Sequence, residues 1–128
     1  MKSERGAKSD EPRFVNSTIE IGAKANCFLN RFNPRHGTIM LGDGGMDFVA
    51  GTGYGFVSIP WTSVQKVRVD VYGKHVRSID VVTEEGQTIP FVVSNGYEVL
   101  RVVHAHVGRE KIFSAGHSLG MLARVLHR

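Results

Sequence analysis

The chain has 128 residues, 41% hydrophobic and 22% charged, with one cysteine and a formal net charge of +4. That length predicts a single domain with one modest core, and the lone Cys27 excludes an internal disulfide and a cysteine-built zinc site. No apolar run reaches the ~20 residues of a membrane-crossing helix, and the opening MKSERGAKSDEPR lacks the apolar stretch of a secretory signal. The expectation is a cytoplasmic protein, open to peripheral contact with the inner face of the membrane.

Residues 1–15 read as a flexible tail, because charges of both signs mix with Gly and Pro and no hydrophobic period is present. Residues 16–128 read as one domain. From Thr18 to Leu29, Ile19 and Ile21 alternate with polar or small residues, which predicts a half-buried strand with a bend at Gly22-Ala23. Asn33, Pro34 and Gly37 mark a loop. Thr38 to Leu41 is a short strand, and Asp43-Gly44-Gly45 is expected to supply the positive-φ residues of a tight hairpin. Met46, Phe48 and Ala50 share one face of the returning strand. Gly51, Gly53 and Gly55 form a looser connection, and Phe56 to Trp61 is the next strand, closed by Pro60.

Ser63 to Tyr72 alternates most cleanly, with Val67, Val69 and Val71 on one side and Lys66, Arg68, Asp70 and Tyr72 on the other. Gly73-Lys74 is a turn, and Arg77 to Thr83 and Thr88 to Val93 form a further hairpin around Glu85-Gly86. Pro90 lacks an amide proton, so an edge or bulge position is expected for that last strand. The period then changes from two to about 3.6. Val99, Leu100, Val103 and Val107 make the apolar stripe of a helix that Asn95 and Glu98 open as a capping box and Gly108 ends. After a link at residues 109–113, Leu119, Leu122, Ala123 and Leu126 mark a second amphipathic helix.

Several motifs invite a chemical reading and lose it. Gly116 to Gly120, GHSLG, matches a nucleophile elbow. An elbow serine needs a histidine and an acid, and the ten residues after Ser118 hold one histidine and no acid. His104 and His106 would share a metal on a strand but diverge on a helix. The Gly51–Gly55 glycines lead into a strand and not into the helix N-terminus that holds a phosphate. No catalytic, metal or cofactor residues are therefore assigned, and a non-enzymatic role is expected.

Charge supplies the binding candidates. From Arg101 onward stand five bases, Arg101, Arg109, Lys111, Arg124 and Arg128, against the single acid Glu110, so the whole net excess lies there. Arg101, Arg124 and Arg128 are candidate contacts for an acidic partner. Lys66, Arg68, Lys74 and Arg77 form a second basic group that could hold a phosphorylated headgroup, although Asp70 and Asp80 interrupt it.

Seven β-type segments followed by a helix resemble the pleckstrin-homology superfold, including its GRAM and bacterial variants. The resemblance implies a mainly β, partly open antiparallel barrel with a C-terminal helix and, here, a second short terminal helix. IEIGAKANCF, GTIMLGDGGMDF, FVSIPWTSV and FVVSNGYEVLRVVHAHV are similar in order and spacing to the ManO-type family, small proteins encoded beside mannose-class phosphotransferase permeases. That resemblance spans Ile19 to the C-terminus. It implies an accessory or regulatory factor of mannose-family sugar uptake, with no catalytic residues and no cofactor. The expected partner is a protein, either a permease component or a second copy. An anionic membrane surface is the alternative, and regulation of the operon through nucleic acid is the least favoured.

Overall fold

A computed structural model describes residues 14–29, 33–52 and 55–114. The strands are β1 (Ile19–Cys27), β2 (Arg35–Gly42), β3 (Gly45–Ala50), β4 (Phe56–Pro60), β5 (Val64–Tyr72), β6 (His75–Thr83) and β7 (Thr88–Val93). A helix, α1 (Gly96–Val107), follows, and then a short strand, β8 (Ile112–Ser114). They form one sheet in the order β4-β3-β2-β1-β7-β6-β5-β8. Every pairing is antiparallel except β5 with β8, which is parallel. Among the described residues the chain is thus mainly β, an open mixed sheet of eight strands carrying one helix, with β4 and β8 at its two edges.

The sheet curls because one face of nearly every strand is apolar and must be buried. Phe48 on β3 and Phe91 on β7 lie three strands apart in the order, yet their ring centroids are 6.0 Å apart. Val67, Val69, Val71, Ile79, Val81, Ile89 and Phe91 all point into the same core. Helix α1 lies against β6, β1, β2 and β7. Val99, Leu100 and Val103 of its stripe have no exposed surface. Gly108 ends it at φ +90°, donating its amide to the His104 carbonyl.

Several local expectations are revised. Asn95 does cap α1 by position, but its side chain makes no capping bond. Trp61 is not a strand residue, since β4 stops at Pro60 and Trp61–Ser63 form a 3-10 turn. The link after the helix holds a 3-10 turn, Arg109–Lys111, and then β8. Strand β7 is interior, between β1 and β6. Pro90 is tolerated there because β1 ends at Cys27: the Pro90 carbonyl accepts from Phe28 N–H at 2.9 Å, and the missing donor falls beyond the last residue of β1. The second amphipathic helix and the GHSLG motif lie outside the described residues.

Candidate functional site

Asp47 is the polar residue that alternation places oddly. Met46 and Phe48 point into the core, so Asp47 points to the outer face of β3, where solvent is expected. It is nevertheless completely buried. Residues 14–18 cross the outer face of the β2–β4 region as a strap, with the Phe14 ring edge-on to Phe56 and the Val15 amide bonded to Asp47.

Side-chain bonds to backbone and to other side chains hold the strap down. Asp47 Oδ1 accepts from Val15 N–H at 3.1 Å and from the Ser58 hydroxyl at 2.7 Å. Asp47 Oδ2 accepts from Asn16 N–H at 3.3 Å and from Asn16 Nδ2 at 3.0 Å. Asn16 Oδ1 in turn accepts from Gly44 N–H at 2.7 Å and Gly45 N–H at 2.8 Å, while its amide nitrogen also reaches the Gly45 carbonyl at 2.9 Å. Asp43 Oδ1 accepts from Thr18 N–H at 3.0 Å and Ser17 N–H at 2.8 Å. The Thr18 and Ser17 donors hold the Asp43 carboxyl below the usual carboxylate range.

The glycines of the β2–β3 turn serve this strap. Of Asp43-Gly44-Gly45, Gly45 has positive φ, at +157°, while Asp43 and Gly44 do not, so the hairpin geometry expected from the sequence holds at one of the three residues. A methyl group on Gly44 would sit 1.9 Å from the Val15 carbonyl oxygen, and one on Gly42 would sit 1.8 Å from that of Thr18. At Gly42 and Gly44 close backbone approach, not turn conformation, is what demands glycine.

A second lock joins the end of α1 to the sheet. Trp61 Nε1 donates to the Gly42 carbonyl at 2.9 Å. The indole stacks on His106, centroids 4.7 Å apart and planes 10° from parallel. His106 Nε2 lies 3.1 Å from both carboxylate oxygens of Glu20 on β1. His104, on the same helix, takes no part in this arrangement.

The basic candidates are dispersed. Lys66 and Arg68 share the outer face of β5, and Lys74 lies on the β5–β6 turn. Arg77 pairs with Asp70 at 3.8 Å and lies over the Tyr72 ring. Arg68 stands opposite Asp80. Burial pushes the Asp80 carboxyl up, and the Arg68 charge pulls it back down. Arg101 is on α1, over the Tyr97 ring. Arg124 and Arg128 lie outside the described residues. Acids are thus interleaved with bases on the β5–β6 face. Cys27 is fully buried, and burial pushes its thiol up to about 11, so at neutral pH it is a protonated core side chain.

The outward side of β4 has no neighbouring strand among the described residues. A groove of about 450 Å³ runs between this strand and the β6–β7 hairpin, with Leu29, Val57 and Ile89 supplying apolar surface and Glu85 on the hairpin wall. Leu29 is 53% exposed. Alternation alone could not show this groove, because its two walls lie far apart in sequence and meet only through the curl.

This architecture defines a small mainly β domain, a curled mixed sheet with an amphipathic helix packed against it. The chain belongs to the family described as Domain of unknown function (DUF956), which it matches over residues 13–126. This is the family of ManO-like proteins that the sequence motifs indicated. No curated protein matches the chain. Among solved structures it is similar to the C-terminal domain of an unknown protein from Leishmania infantum. The TM-score is 0.61 at 11% identity, over 70% of this chain and 84% of that one. At that identity the likeness concerns the fold alone.

Proposed function

We propose that this protein is a non-enzymatic accessory or regulatory factor of a mannose-family phosphotransferase sugar-uptake system, acting by protein contact. The observation that carries this reading is the division of labour among its side chains. The fully buried carboxylate, Asp47, and its partner Asn16 are used up in holding the chain's own backbone. Apolar side chains such as Leu29 and Phe113 instead stand half exposed, at 53% and 50%. Buried polar groups that already have their full set of donors are poor acids or nucleophiles, whereas exposed apolar side chains beside free strand edges suit association. The link to sugar uptake rests on the family resemblance.

We read the fold as a variant of the pleckstrin-homology type. Seven antiparallel strands in the order β4-β3-β2-β1-β7-β6-β5, followed directly by a helix that packs on the curled sheet, support it.

Affinity purification of the tagged full chain from sugar-grown cells tests the function. Permease or phosphocarrier components are expected to be enriched over an untagged control. Their absence from the eluate, with the bait intact, overturns the assignment.

A further inference from the structure

The geometry points to the free edge of β4 as a docking site for an extended segment of a partner protein. The segment would carry an apolar side chain flanked by lysine or arginine. This deepens the protein-contact reading above and rests on it, but it names the surface and the chemistry that fits it.

The hydrogen-bond phase of β4 sets what the edge can offer. Gly55 accepts from Ala50 N–H at 2.9 Å, and Trp61 N–H donates to Gly44 at 3.0 Å. In an antiparallel ladder the bonds to one neighbour recur every second residue. Val57 and Ile59 therefore bond toward β3, opposite Phe48 and Met46. Phe56 and Ser58 turn their N–H and C=O groups away from β3, and Pro60 turns away a carbonyl only. Since β4 is the first strand of the sheet order, no neighbouring strand takes these groups among the described residues. An added strand would bond to Phe56 and Ser58 and stop at Pro60, which has no amide proton.

The groove beside the edge selects the side chains. Leu29, Val57 and Ile89 offer an apolar floor for one residue of the added strand. Among the described residues lining the groove, Glu85 carries the one formal charge. A neighbouring cation on the incoming segment is therefore favoured and an acid disfavoured. Two occupants from this chain fit less well. Residues 1–13 lead into Phe14, which packs edge-on to Phe56 at 5.3 Å, but their apolar content is only Met1, Ala7 and Pro12. The β4 strand of a second copy, FVSIP, has no cation to meet Glu85.

The test uses the full chain, isotopically labelled, and a panel of nine-residue peptides alternating threonine with one of Val, Ile, Leu, Phe or Tyr, with two lysines at each end. The expected result is that the Phe56 and Ser58 amides shift most and gain exchange protection. Binding is lost when the edge-facing amides of the peptide are N-methylated. Exchanging the peptide lysines for glutamates weakens binding roughly tenfold, and Glu85→Lys on the exposed hairpin reverses that preference. The proposal is overturned if no peptide in the panel perturbs these amides at millimolar concentration, or if binding maps to β8. It is equally overturned if the free chain already protects the same amides, either on doubling its mass with concentration or until residues 1–13 are removed. Peptide binding without permease enrichment would leave the docking edge standing and remove only the sugar-uptake assignment. Enrichment without peptide binding would do the reverse.

Discussion

Asn16 Nδ2 lies 3.0 Å from Asp47 Oδ2, and this bond ties the segment ahead of the first strand to a carboxylate with no exposed surface. The two side chains depend on each other. Asp47 is paid for in desolvation only because the strap delivers donors to it, and the strap stays down only because Asp47 and the Gly44–Gly45 amides receive it.

Removing either partner is therefore costly. Asp47→Ala leaves the Val15 amide, the Asn16 amide and the Ser58 hydroxyl without their acceptor and should lower stability by about 3 kcal/mol or more. Asn16→Ala should cost about 2 kcal/mol by stranding Asp47 and the two glycine amides. In the double variant the losses should fall short of the sum by about 1 kcal/mol, because each single change already frees the strap. Urea midpoints of the four proteins measure this, and strict additivity would contradict a shared lock.

Gly44→Ala and Gly22→Ala should behave oppositely although both are glycine changes beside the same strands. The new methyl at residue 44 would press on the Val15 carbonyl at 1.9 Å, and that backbone can relieve it only by lifting the strap; the expected cost is about 1–3 kcal/mol. At residue 22 the nearest atom is the Ile39 carbonyl oxygen at 3.9 Å, an ordinary contact. Gly22→Ala should stay within about 0.5 kcal/mol of the parent. Thermal midpoints of the two variants decide the matter.

Trp61 is the one tryptophan of the chain, so its emission reports on the stack with His106 without interference. His106→Ala should shift that emission to the red as solvent reaches the indole, and should cost about 1 kcal/mol. Glu20→Gln keeps the stack and should leave the emission unchanged. A blue shift in His106→Ala would mean that the ring is not shielded by the imidazole.

Asp43 gives the strap a pH dependence. Its folded-state carboxyl lies below the ordinary value because the Thr18 and Ser17 amides bond to the ionised form. The native state thus binds fewer protons than the unfolded chain. The contribution is fully present above the ordinary aspartate range near 3.8 and is lost as pH falls through the lowered folded value. Exchange protection of the Ser17 and Thr18 amides should fade over that acid window. In Asp43→Asn it should be weak at every pH, and a retained acid transition in that variant would assign the effect to another group.

Much of the scaffold was legible from spacing. Val67, Val69, Val71, Ile79, Val81, Ile89, Phe91 and Val93 alternate in the chain, and all are buried as their period requires. The stripe of α1 and the stop at Gly108 were legible for the same reason: period and glycine conformation are local properties. The strap was not. Asn16 stands among residues with no hydrophobic period, and Asp47 alternates like any solvent-facing strand residue. The one available signal was the density of glycine at positions 42, 44 and 45, which a turn explains as readily as a close approach. Pro90 misled for a related reason, since its tolerance depends on where a strand 60 or more residues earlier happens to end.

By itself the sequence determined the alternating strands, the amphipathic helix and the family, because each is written in neighbouring residues whose order sets which face is apolar. Only the tertiary structure decided that Asp47 is buried beneath residues 14–18, that Trp61 leans on His106, and that β4, without an outer neighbour among the described residues, lines a groove with the β6–β7 hairpin. Those outcomes follow from the curl of the sheet, which brings distant segments within hydrogen-bonding range while the sheet stays open.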